Sequence, residues 1–286
     1  MDKKVIEKKS LSKVIQRRLK ESNKTNYGRI LLICGSRSFG GAAIMATKAA
    51  VYSGAGLVTL ASDSANRTAL LSTVPEAMFI DYSNKEKLLS AIEKSNVILI
   101  GSGLEDSDFS LALLKNVFNS IQQKQILIID GTALSMIGKY HLSIPKNPTT
   151  VLTPHQGEWQ RISGLSISEQ NPAQNYKKMS ALQNDFLVLK SSATEIYSIT
   201  NTKEYGQLNI GGPYQATGGM GDTLAGLISG FMGQFHDNNL LTIQAAVYLH
   251  SYIANLLSQN NYVTLPTKIA DQIPLIMKTF IQNKFD

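Results

Sequence analysis

Six short runs that are apolar on both faces constrain the fold of this chain more than any other feature. They are ILLIC (30–34), LVTLA (57–61), NVILIG (96–101), QILIID (125–130), TTVLT (149–153) and FLVLK (186–190). Strands buried on both faces belong to parallel sheets covered by helices. The segments between them are long enough for crossover helices. The stretch GGAAIMATKAAVYSGAG after the first run has the small-residue spacing of a helix packed closely on a sheet. After Lys190 the rhythm changes: EIYSIT and KEYGQLNI read as a strand pair with a turn near Asn201, Thr202 and Lys203. The last third is helical. With no linker, low-complexity tract or repeat, residues 1–286 are expected to form one α/β domain.

Charge and composition narrow the class of partner. The net charge of +7 lies in residues 1–29, which hold ten Lys/Arg and three Asp/Glu; the rest carries eighteen of each and is neutral. A basic segment of this kind, with Leu11, Val14, Ile15 and Leu19 as one stripe, is expected to be a helical N-terminal extension over residues 1–26. Nucleic-acid binding is not expected, because no basic face with aromatics or recognised module accompanies it. No apolar run reaches membrane-spanning length, and the N-terminus lacks the apolar core of a secretory signal. The single cysteine, Cys34, fits a reducing compartment, so a cytoplasmic enzyme is expected.

The chemistry is expected at the carboxyl ends of the strands, where ligands of open α/β sheets bind. Three glycine-bearing strand ends recur: CGSRSFGG (34–41), IGSG (100–103) and LTPHQGE (152–158). The strongest signal is Ala216-Thr217-Gly218-Gly219-Met220-Gly221-Asp222-Thr223, leading directly into an apolar helix. Glycines at a helix start expose consecutive N–H groups, and the helix dipole adds positive charge, so the turn suits a phosphate. Asp222 could cap this helix; beside a phosphate cradle it is equally placed to take a proton from a hydroxyl attacking a terminal phosphate. The loop is not a Walker A motif, because no Gly-Lys-Ser/Thr follows. His155 stands in a shaped loop after a strand, as a structural hydrogen-bonder or a ligand contact. Asp130, at another strand end, could cap the next helix or orient ligand or metal waters. Lys190 with Ser191, Ser192, Ala193 and Thr194 could contact nucleotide phosphates, or form a plain polar turn. His141, His236 and His250 do not cluster with carboxylates or Cys34, so no zinc site is indicated.

Nine landmarks in order give the chain a family. YGRILLICGS, GGAAIMATKAAVYSGAGLVTL, PEAMFID, ILIGSGL, LIIDGTAL, VLTPHQGEW, LVLKSSATEIYS, ATGGMGDTLAG and AAVYLHSYIA run from about Tyr27 to about Pro274. In register they resemble the ADP/ATP-dependent (S)-NAD(P)H-hydrate dehydratases. The resemblance implies a ribokinase-like three-layer α/β/α fold with a mainly parallel central sheet. It implies dehydration of (6S)-NADHX or NADPHX, with ATP or ADP and Mg²⁺, through phosphorylation of the ring hydroxyl and elimination. Asp222 would be the catalytic base and touch the hydrate, with Ala42, Ala43, Gly103 and His155. Lys190, Ser191, Ser192, Ala193 and Thr194 would hold the nucleotide, with Gly218, Gly219 and Gly221. A homo-oligomer, as a tetramer, and a separate epimerase in the same pathway are also implied.

Three departures from the family pattern stand out: Ser191 replaces a glycine, Asn209 to Tyr214 replaces an N-x-T-G-N-P-like segment, and Leu265 to Lys268 replaces a small polar segment. The alternatives are a ribokinase-like kinase of a vitamin-precursor alcohol and a non-catalytic nucleotide-binding homologue.

Overall fold

The computed structural model describes residues 1–282. Its strands are β1 (Asp2–Val5), β2 (Arg29–Ile33), β3 (Leu57–Ser62), β4 (Met78–Asp81), β5 (Val97–Ile100), β6 (Ile126–Ile129), β7 (Thr149–Leu152), β8 (Phe186–Leu189), β9 (Glu195–Ser198) and β10 (Glu204–Gln207). The helices are α1 (Lys9–Val14), α2 (Gly40–Tyr52), α3 (Arg67–Thr73), α4 (Lys85–Lys94), α5 (Asp108–Ser120), α6 (Gly131–Tyr140), α7 (Gln156–Ser163), α8 (Pro172–Leu182), α9 (Met220–Gln234), α10 (Asn239–Ser258) and α11 (Pro266–Gln282).

The strands form one sheet in the order β1-β10-β9-β8-β7-β6-β5-β2-β3-β4. Neighbours from β8 through β7, β6, β5, β2 and β3 to β4 are parallel. The expected strand pair after Lys190 is β9 and β10, antiparallel to each other, with β9 antiparallel to β8.

Alternation along the buried strands sorts side chains into two cores. Ile30, Leu32 and Cys34 face a layer containing α1, α2, α9, α10 and α11, whereas Leu31 and Ile33 face α4, α5, α6, α7 and α8. Helices cover both faces, as the doubly apolar runs require. α10 is long and apolar enough to cross a membrane by composition, but most of it is buried inside this layer.

Two parts of the sheet were not foreseen. β4 is a partly exposed edge strand, MFID, whose apolar residues are only partly covered. The N-terminus also departs from the expected continuous helix. Residues 2–5 pair in parallel with β10, only Lys9–Val14 is α-helical, and Ile15 is already extended. Leu11, Val14 and Ile15 are buried as the stripe implied, but Leu19 is 77% exposed. The cause is the free edge of β10: its backbone groups bond β1, a pairing that DKKV cannot announce through side-chain pattern. Lys4 also pairs with Glu204 at 3.3 Å across that edge.

The topology fixes where a ligand can sit. From β2 the chain winds to β3 and β4 on one side; from β5 it winds to β6, β7 and β8 on the other. The adjacent β2 and β5 therefore make the topological switch point, with a crevice at their carboxyl ends. α9 packs across β2, β5 and β6 and is buried from Thr223 to Gly233, so its N-terminus is held over that edge.

Candidate functional site

The glycine turn and Asp222 come first. Gly219 is the N-cap of α9 with φ 95°, a left-handed conformation suited to glycine. A Cβ there would also collide with the Met45 side chain. Gly218, by contrast, faces open space. Asp222 lies in the first turn of α9, whose N-cap residue, Gly219, has no side chain to cap the helix. Burial, with the charge of Asp130, raises the Asp222 carboxyl to about 6 against the opposing pull of Lys190. A carboxylate with its midpoint there is ionised at neutral pH yet basic enough to accept a proton.

Beneath this turn four parallel strands contribute one polar group each. Asp130, 2% exposed after β6, accepts Ser102 Oγ at 2.7 Å and Thr153 Oγ1 at 2.8 Å, from the ends of β5 and β7. Lys190, after β8, pairs with it at 2.8 Å. Asp130 is the N-cap residue of α6 by backbone position, but its side chain caps nothing. The lysine is brought here by a parallel bridge between Lys190 and His155. Burial works against the Lys190 ammonium, and the carboxylates of Asp130 and Glu158 outweigh it, leaving the group above its ordinary value. Lys190 Nζ would lie 3.1 Å from a Cβ on Gly221, at the first turn of α9. It therefore belongs to the centre of the cleft, while Ser191 to Thr194 continue along the wall.

His155 caps α7. Its Nδ1 accepts from Gly157 N at 3.0 Å and Glu158 N at 3.2 Å, and Glu158 Oε2 accepts from His155 N at 2.8 Å. With Nδ1 an acceptor, a neutral ring carries its proton on Nε2. Burial, Lys190 and Arg161 all hold His155 below its ordinary value. The structural role thus exists, and Nε2 lies 3.7 Å from Glu158 Oε1. Burial lifts the Glu158 carboxyl to about 7, opposed by Lys190.

The switch-point crevice gathers the remaining residues expected to touch the hydrate. Gly103, with φ 70°, comes so close to α2 that a Cβ would lie 2.6 Å from Ala42 Cβ and 2.8 Å from Phe39 O. Gly35 N donates to Ser102 O at 2.8 Å, tying the two loops together. Ala42 is partly exposed in this crevice, but Ala43 is fully buried. Helical periodicity turns the Ala43 side chain inward, against Gly35.

On the other side of Gly221 lies a cavity of about 560 Å³. Ser191, Ser192 and Thr194 line one wall; Leu208, Ile210 and Val247 are apolar; Gly211 and Gly212 form the rim. Ala193 N donates to Ser191 Oγ at 3.1 Å, so the serine standing in place of glycine stabilises the turn. Pro266, in the third departing segment, sits beside Gly219. The sequence had marked Asp130 only as a cap or orienter, and had not marked Ser102, Thr153 or Glu158 as site residues. Their signal was the polar residue closing, or following, each apolar run. Among the described residues no group of three or more His, Cys, Asp or Glu is gathered for a metal.

The comparisons with known proteins converge. Residues 30–275 match the NAD(P)H-hydrate dehydratase family. The ADP-dependent (S)-NAD(P)H-hydrate dehydratase of Streptococcus pneumoniae is 46% identical over 98% of this chain and 97% of its own. A ribokinase-like superfamily protein from Enterococcus faecalis superposes with TM-score 0.94 at 42% identity, covering 98% of this chain and 97% of that one. The ADP/ATP-dependent NAD(P)H-hydrate dehydratase of Bacillus subtilis, co-crystallised with ATP/Mg²⁺, superposes with TM-score 0.83 at 28% identity over 94% and 96%.

Proposed function

Because the chain belongs to the NAD(P)H-hydrate dehydratase family, we propose that it uses ADP or ATP to return (6S)-NADHX and NADPHX to NADH and NADPH. The carrying observation is the pairing of Asp222, with its raised carboxyl, and an open glycine turn at a buried helix start.

The turn from Gly218 to Gly221 offers N–H groups to the terminal phosphate, and the α9 dipole adds to them. Asp222 accepts the proton of the ring hydroxyl as its oxygen attacks phosphorus. The phosphoanhydride P–O bond breaks, and its electron pair leaves with AMP or ADP. The C–O bond to the new phosphate then breaks. The neighbouring ring carbon yields a proton to the departing phosphate, and the ring double bond forms. Lys190 and the N–H groups hold negative charge in both steps, where electrostatic stabilisation matters most. His155 Nε2–H, Ala42 and Gly103 orient the hydrate. Ser191 to Thr194 and the 560 Å³ cavity, which is in the size range of small-molecule sites, take the nucleotide. With no resident cluster of three or more candidate ligands among the described residues, Mg²⁺ fits best as part of the nucleotide substrate, where it neutralises phosphate charge.

Offering NADHX, a thiazole alcohol and a pyrimidine alcohol separately with ADP or ATP tests the reading. The expected result is return of the NADH absorbance band with NADHX and no ester from either alcohol. A stable phosphate ester from an alcohol, with NADHX untouched, overturns it in favour of a kinase.

A further inference from the structure

Asp130 has a role that cost and geometry argue together. A buried carboxylate is expensive unless paired and fully hydrogen-bonded, and an apolar group of similar size often serves stability as well. Here the cost is met by three partners from three strand ends: Ser102, Thr153 and Lys190. Capping α6 does not explain it, because the side chain makes no cap bond. What the arrangement does achieve is to fix an ammonium group. Lys190 Nζ is held against Gly221, one residue from Asp222. A lysine there without a partner of its own would be drawn to the nearest free carboxylate. Asp222 and Glu158 are the candidates, since both feel its charge.

We propose that Asp130 is a positioning residue for the reaction: it anchors the Lys190 ammonium at the Gly221–Asp222 turn, ready for the transferred phosphoryl group, and keeps it from pairing with Asp222. The part played by Asp222 rests on the dehydratase reading; the anchoring of Lys190 does not. The charged and titratable groups facing Asp222 are Asp130, Lys190 and the Cys34 thiol, while Glu158 faces Lys190. Asp130 and Lys190 act on Asp222 with opposite sign, the former raising its carboxyl and the latter lowering it.

The test follows Asp222 by carboxyl carbon NMR titration, assigned with Asp222→Asn, in the full chain, Asp130→Asn and Lys190→Met. ADP-dependent NADH regeneration is measured alongside. Asp130→Asn is expected to move the Asp222 midpoint down from about 6 and to lower kcat on the order of tenfold or more. Lys190→Met is expected to move the midpoint up. An Asp222 midpoint that stays put or rises in folded Asp130→Asn overturns the proposal, as does one that fails to rise in Lys190→Met. A purely structural Asp130 would lower Tm and move the Asp222 midpoint only through loss of its own charge, by the same amount in the parent and Lys190→Met backgrounds. An anchor gives a larger drop when Lys190 is present, and equal drops overturn the proposal. Should a single variant not fold, the double variant Asp130→Asn/Lys190→Met removes both buried charges. It is expected to recover stability without turnover, and recovered turnover would overturn the proposal. The titration reads the same whether or not the hydrate is turned over, so loss of the dehydratase reading and loss of this one remain separate results.

Discussion

Under the first turn of α9, Asp130, Lys190 and Asp222 are largely buried within one charged cluster, while the neighbouring cavity, which Lys190 also borders, is otherwise lined by Leu208, Ile210, Val247 and mostly neutral polar groups. The centre is built from the ends of β5 to β8 and one helix start; the cavity wall comes largely from the Ser191–Thr194 turn and the loop after β10. Rigid strand ends suit groups that must hold charge in a fixed geometry. A loop-lined apolar cavity suits recognition by shape. The two regions should accordingly fail differently: damage at the centre lowers kcat, and damage in the cavity raises the nucleotide KM.

The largest effect is expected from Asp222→Asn. Turnover should fall by a factor on the order of 10² or more, with the ADP dissociation constant from calorimetry within about twofold of the parent. A variant with intact kcat and weakened nucleotide binding would break the division between the regions.

The same substitution should stabilise the fold. Asp222 has its carboxyl raised from 3.8 to about 6, so its ionised form is disfavoured in the folded state. The sign follows from linkage: the stability associated with the protonated group is fully present below pH 4 and is lost as pH rises through 6. Removing the charge should then recover up to about 3 kcal/mol at pH 8, taking 1.36 kcal/mol per pH unit. Denaturant melts of Asp222→Asn and parent should differ most at pH 8 and converge below pH 4. A constant difference across that range would mean that Asp222 is not strained by burial.

Gly219→Ala should cost about 1–3 kcal/mol, from the left-handed φ and the collision with Met45. Urea denaturation measures it, and a change under 0.5 kcal/mol would show that the turn can reshape. The smallest effect is expected in the cavity. Thr194 Oγ1 donates to Ser191 O at 3.2 Å and closes the turn. Thr194→Val should raise the ADP KM roughly three- to tenfold at unchanged kcat, as for loss of about 1 kcal/mol. An equal fall in kcat would tie the wall to the charged centre.

The sequence made the two regions unequally legible. The buried strands were readable because both faces are apolar, and the glycine turn because three glycines precede an apolar helix. β1 was hidden because its strand character comes from the open edge of β10, with four exposed residues of its own. Asp222 could be read as cap or base from local pattern, and only the fold supplied its burial. The Asp130 cluster was out of reach for a different reason. Ser102, Asp130, Thr153 and Lys190 span almost ninety positions in sequence, and only parallel strand order brings them together. The inward turn of the Ala43 side chain was not legible, because a motif position does not say which face of a helix it occupies. Of the two readings of His155, the structure shows the helix cap, through Nδ1.

The central claim is that phosphorylation of the ring hydroxyl, with Asp222 as its base, drives dehydration, and stoichiometry tests it most directly. In a single mixture of the chain, (6S)-NADHX and ADP, the account predicts equal amounts of AMP, inorganic phosphate and NADH. Regeneration of NADH without ADP consumption, or consumption of ADP with a stable phosphorylated product and no NADH, would contradict it.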